Sequence, residues 1–201
     1  MNKIFIKNKV KSQVKSPAGF TLIEVMISLS LFVVLILLIN SMFTISQSAY
    51  NKNSNLAELT QNARVALDRL SRELRQSETI VSSLPPTDTD PGNPPINQIF
   101  FQDGHNTSLT TYILYRLEGT NLNRVQKAYY FNNEPETYVT YNSVDQAGNS
   151  PLELIISDQT VGEYFNGLEF WGASGLVNIY IKLAKNKNLF ELDTMVYSRN
   201  H

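Results

Sequence analysis

Cysteine is absent from the 201 residues, which excludes both a disulfide framework and any thiolate metal site. Histidine is nearly absent: His105 and His201 are far apart in sequence, and no H-E-x-x-H pattern occurs. Glycine and proline are missing from Phe20 through Leu84, so nothing in that stretch breaks a helix. Charge is also scarce there, and between Lys15 and Lys52 the single charged side chain is Glu24. Catalytic sets are lacking as well. Ser174 in "GASG" does not have the G-x-S-x-G elbow spacing. The acid pairs Glu134/Glu136 and Glu191/Asp193 have the spacing of one face of a strand, for the second pair the expected solvent face. The expectation is a chain that is not an enzyme and carries no cofactor and no metal.

The charge that is present lies unevenly. Lys3, Lys7, Lys9, Lys11 and Lys15 crowd residues 1–19, which hold no acid. Taking those five from the 17 basic residues leaves 12 against 18 acidic ones. From residue 80 onward 13 acids face 7 bases. Such a surface repels phosphate backbones, so nucleic acid is disfavoured as a partner.

Phe20 to Phe43 forms an almost wholly apolar run, long enough for the roughly 20 residues that a bilayer core requires of a helix. Lysines on its N-terminal side keep that end cytoplasmic and send the remainder across. An export signal places its small-residue cleavage site after the apolar region. Here Ala18-Gly19 comes before it, so a cut after Gly19 discards the lysines and keeps the membrane helix, which now begins with a free amine on Phe20. A carboxylate within a membrane helix costs about 2.5–3.5 kcal/mol at the bilayer centre and less near an interface, and it calls for a partner. The nearest candidate cation after such a cut is the Phe20 amine, in the same chain or a neighbour. The alternative is an acid that simply reaches interfacial water.

The run Gly19-Phe20-Thr21-Leu22-Ile23-Glu24-Val25 resembles the processing signal of type IV prepilins and type II secretion pseudopilins. That resemblance implies cleavage between Gly19 and Phe20 by prepilin peptidase and N-methylation of Phe20. It also implies pairing of Glu24 with the Phe20 amine of a neighbouring subunit during assembly. The implied partners are other minor and major pilins or pseudopilins, the assembly platform protein with its ATPase, and the bacterial inner membrane. The implied location is a single pass through that membrane, then a filament, the periplasm or the cell surface.

Residues 56–78, "LAELTQNARVALDRLSRELRQSE", are amphipathic: Leu56, Leu59, Ala63, Ala66/Leu67, Leu70 and Leu74 recur at three- and four-residue steps. Four acids and four arginines fill the other faces, with Arg64–Asp68, Asp68–Arg72 and Arg69–Glu73 at i,i+4. One helix is expected over 20–80, ended by Pro85-Pro86. Asp88, Asp90 and Asn93 in "PPTDTDPGNPP" superficially suggest calcium, but the spacing is not that of an EF-hand and a plain loop is expected.

Beyond it, alternation predicts strands at 96–102, 109–117, 122–131, 137–144 and 152–157. The clearest pair closes the chain, with Val177, Ile179, Ile181 and Leu183, then Phe190, Leu192, Thr194 and Val196, on one face. The expected fold is α+β: residues 1–19 a removable leader, 20–80 a helix that spans the membrane in its first half, and 81–201 a β-rich extracytoplasmic domain. The pattern in 59–78 and at the C-terminus is similar to W-type minor pilins and J-type pseudopilins, which help prime assembly. Since tip-most members of those families can lack this acid, the resemblance, with Glu24 present, implies a position below the apex of such a tip complex. A tip-borne binding module, for adhesion or DNA uptake, is the alternative; tyrosines such as Tyr129, Tyr130, Tyr138 and Tyr141 suit sheet packing better than a stacking platform.

Overall fold

The structure is a computed structural model that describes residues 19–105 and 109–198. The leader lysines, Ala18 and His201 lie outside the described residues. The chain divides into two units, Met1–Ala49 and Tyr50–His201, and helix α1 (Leu22–Gln76) contributes to both. In the first unit, α1 is exposed on every side and apolar enough over one stretch to cross a membrane. Its few polar side chains bond back to the helix: Ser30 Oγ donates to the Met26 carbonyl at 2.8 Å and Asn40 Nδ2 to that of Ile36 at 3.1 Å. Such back-bonding is how polar groups are tolerated where water is absent.

The helix stops at Gln76, short of the expected Ile80 and well before Pro85. Ser77 turns the chain, its Oγ donating to the Leu74 carbonyl at 2.7 Å. The Glu78 amide then donates to the Gln102 carbonyl at 3.1 Å, drawing the chain into a sheet. Gly104 passes so close that a Cβ there would lie 1.9 Å from the Gln76 carbonyl oxygen.

One sheet is antiparallel throughout: β1 (Thr79–Ile80), β2 (Gln98–Gln102), β3 (Thr111–Glu118), β4 (Asn121–Phe131), β5 (Glu134–Val139) and β6 (Leu152–Gly162). β4 is its spine. β6 runs along one edge of β4, whereas β3 pairs the other edge up to Ala128 and β5 takes over at Tyr129. The second sheet is β7 (Phe165–Trp171), β8 (Leu176–Lys185) and β9 (Asn188–Tyr197). A single bridge, Ile96 to Phe170, joins the two. Sequence alternation alone misses β7, because a register shift between Phe165 and Gly167 interrupts its period. It also places β5 too late, since Thr140–Ser143 is a turn closed by Ser143 N donating to the Thr140 carbonyl.

In the second unit, α1 buries Leu59, Ala63, Ala66, Leu67, Leu70 and Leu74 against Ile99, Phe101 and Ile113 of the first sheet and Val177, Ile179, Ile181 and Leu183 of the second. Leu56, expected to head this stripe, remains partly exposed. Each fully buried leucine or isoleucine contributes about 1.5–3 kcal/mol.

Glu73 departs from expectation. Instead of lying on the solvated face it is buried, with Arg124 Nε donating to both its oxygens at 2.9 Å and the Tyr115 hydroxyl donating at 2.8 Å. Arg69 Nε reaches it from the helix at 3.3 Å. Burial and the adjacent Glu73 carboxylate push the Tyr115 phenol well above its ordinary range, so it stays a donor. Nearer the start of the unit, Lys185 Nζ bonds Glu58 and lies over the Tyr164 ring, 4.4 Å from its centre. The bond to Lys185 lowers the Glu58 carboxyl and raises the ammonium.

Arg124→Met strands a buried carboxylate and should lower unfolding free energy by about 3–5 kcal/mol in chemical denaturation of the detergent-solubilised chain. Adding Glu73→Gln to that variant should recover part of the loss. The stabilising share of the Glu58–Lys185 bond is present above the ordinary carboxylate range and lost as pH falls through the lowered Glu58 value. The deficit of Lys185→Met should therefore be larger at neutral pH than in acid.

Candidate functional site

At the start of α1 four residues converge. Gly19 is exposed, and a Cβ built on it would meet nothing within 4 Å. Among the described residues no packing contact asks for glycine there. Phe20 follows, 87% exposed. Thr21 and Glu24 then form a reciprocal pair. The Thr21 amide and hydroxyl each donate to Glu24 Oε2 at 2.8 Å, and the Glu24 amide donates to Thr21 Oγ1 at 3.3 Å.

That reciprocity is a capping box, with Thr21 at the N-cap and Glu24 three residues on. It satisfies first-turn amides that no helical carbonyl can reach, and it sets the carboxylate where the helix dipole favours negative charge. Glu24 therefore has an intramolecular anchor that a search for a cationic partner overlooks. The signal lay in the sequence as T-L-I-E ahead of an apolar run.

Other candidates disperse. Asp90 accepts the Gly92 amide at 2.9 Å, a turn of the chain on itself. Among the described residues no group of three His, Asp or Glu side chains is placed to hold a metal. His105 sits beside Asp103, Nδ1 to Oδ1 at 2.7 Å. Ser174 has φ 51° within a turn. Tyr112 and Tyr141 pack edge to face at 5.7 Å, and Phe100 and Tyr129 join them, so these rings spend their faces on one another.

Residues 15–40 match the model of the prokaryotic N-terminal methylation motif. The match spans Gly19, Phe20, Thr21 and Glu24 and most of the exposed apolar run. It supports a type IV pilin- or pseudopilin-like subunit, and it implies processing by prepilin peptidase and assembly with other pilins. The apolar helix fits a membrane-anchored subunit of that kind. Neither the curated proteins nor the solved structures contain a match to this chain.

Thr21→Val removes the hydroxyl while keeping the shape. Hydrogen exchange in detergent micelles should then speed up at the amides of the first turn, Glu24 above all, while Thr21→Ser keeps them protected.

Proposed function

We propose that the chain is a minor pilin or pseudopilin: a structural subunit cut between Gly19 and Phe20, N-methylated on Phe20, that helps prime a type IV pilus or a type II secretion pseudopilus. In this reading residues 1–19 are the removed leader. The first half of α1 is the inner-membrane anchor, and the remainder is the extracytoplasmic body. The W-type and J-type likeness of residues 59–78 and the C-terminal strands favours the minor, assembly-priming role. The assembly platform and its ATPase then drive insertion of the subunit.

One observation carries the reading: Glu24 is the only charged side chain between Lys15 and Lys52, and it stands in the first turn of α1, just after an exposed Gly19-Phe20 bond. Cutting that bond creates an ammonium on Phe20 at the depth of the carboxylate. In the monomer Thr21 holds Glu24. In a filament the amine of a neighbouring Phe20 offers a charge-assisted bond, which is stronger than a neutral one. A like arrangement in each subunit repeats the pairing along the fibre.

Gly19→Leu should block maturation, seen as retention of residues 1–19 in the intact mass; a spectrum starting at methyl-Phe20 would refute the cleavage site. Glu24→Ala should insert and be processed normally yet co-purify with far less filament. Deleting the gene should abolish surface fibres or secretion. Intact fibres with lost adhesion or DNA uptake would speak for the binding role instead.

A further inference from the structure

The exposed side of the last turns of α1 is more basic than its residue order suggests. Along the chain, the four arginines from Arg64 to Arg75 are matched by four acids, Glu58, Asp68, Glu73 and Glu78. In space three of those acids are drawn away. Glu58 bonds Lys185, and Glu73 turns inward onto Arg124 and Tyr115, with Arg69 leaning after it at 3.3 Å. Glu78 lies past the helix end, where Gln102 donates to it at 2.6 Å. Asp68 stays outside and pairs Arg72 at 2.9 Å. No ion pair among the described residues reaches Arg64 or Arg75.

Arg69, Arg72 and Arg75 stand three residues apart, so they form a ridge that winds across the helix. A cleft opens on each flank of Arg72. One, of about 310 Å³, has Arg69 and His105 in its wall. The other, of about 440 Å³, is lined by Arg72, Arg75, Gln76, Tyr197 and Ser198. Tyr197 is 67% exposed, so its ring offers a face and its hydroxyl a hydrogen bond to whatever enters. Of the residues in both walls, Tyr197 alone belongs to a strand, which leaves an extended peptide no length of edge to pair with. Recognition here has to run through side chains.

We propose that these clefts bind a short acidic saccharide, with Arg72 and Arg75 holding its carboxylate or sulfate groups and Tyr197 stacking on a sugar ring beside them. A planar guanidinium meets such an oxyanion through two parallel hydrogen bonds. Gln76 and Ser198 offer polar partners to the hydroxyls, and Arg69 with His105 extends the ridge toward a further acid group. The length of the ligand is limited. From residue 80 onward 13 acids face 7 bases, so a long polyanion would run off the ridge onto a repelling surface. The same limit disfavours nucleic acid. The proposal concerns a single chain and stands apart from the filament reading above.

The test titrates the full-length protein, in non-ionic detergent, with a short heparin oligosaccharide, an oligogalacturonate, a neutral maltooligosaccharide and single-stranded DNA of matched charge. Binding to a sulfated or uronate saccharide is expected, weakening as salt rises, with none to the neutral one. The tighter of the two acidic saccharides identifies the acid group that the arginines prefer. Arg75→Gln should weaken binding severalfold, and Arg75→Lys should recover only part of the loss, since the charge returns without the fork. Tyr197→Ala should weaken it more than Tyr197→Phe does. Both side chains are exposed, so the unfolding midpoints of these variants should match that of the parent. In the unsubstituted protein the saccharide should shield Arg72 and Arg75 from phenylglyoxal, read by peptide mass. Failure of both acidic saccharides to bind, equal binding of the neutral one, DNA held as tightly at equal charge, or unshielded arginines would each overturn the proposal.

Discussion

One uninterrupted helix has to meet two different surroundings, and most of the structure follows from how α1 does so. Its first unit is apolar around the full circumference, which suits a medium without water. Its second is apolar along one stripe only, and that stripe must find a sheet. The absence of glycine and proline lets one backbone serve both demands. The change from all-round to one-sided hydrophobicity tells each part where it belongs. Ala63 and Ala66 belong to this logic: with only a methyl at 66, Gly162 can approach until a Cβ there would stand 3.4 Å from that of Ala66.

Much of this was legible in the residues. The three- and four-residue spacing of Leu59 to Leu74 and the alternation of Val177–Leu183 and Phe190–Val196 named both halves of the core interface. Period failed where the backbone itself is irregular. β7 slipped past because a register shift breaks its alternation, and the extent of β6 was understated because its exposed aliphatics, Leu152, Leu154 and Ile155, blur inside and outside. The helix end was misjudged for another reason: Ser77 folds back on the Leu74 carbonyl, and the Glu78 amide is taken by the Gln102 carbonyl of the sheet, a tertiary bond that no local breaker announces.

At the N-terminus the key residues were legible as a motif, and their local geometry was not. Thr21 was taken as part of a pattern, although its hydroxyl and amide hold Glu24. Glu73 shows the converse error. Its i,i+4 relation to Arg69 suggested a solvated pair, but Arg124 and Tyr115 come from strands 51 and 42 residues away in sequence. Sequence spacing along a helix reports neighbours on that helix and is silent about what the sheet brings to it. A buried ionic cluster of this kind fixes how the helix sits on the sheet more strictly than leucines can, since a slip of one residue would strand the carboxylate.

Both irregularities in the β4–β6 pairing place the surplus residue on β6, at Ile156 and Val161. A flat rim of eleven residues carrying leucine and isoleucine would be an open template for any passing strand. Two kinks in so short a length coil it, so a visiting strand can match only a few hydrogen bonds before the rows diverge. The rim is thereby closed to zipper-like growth by its own shape.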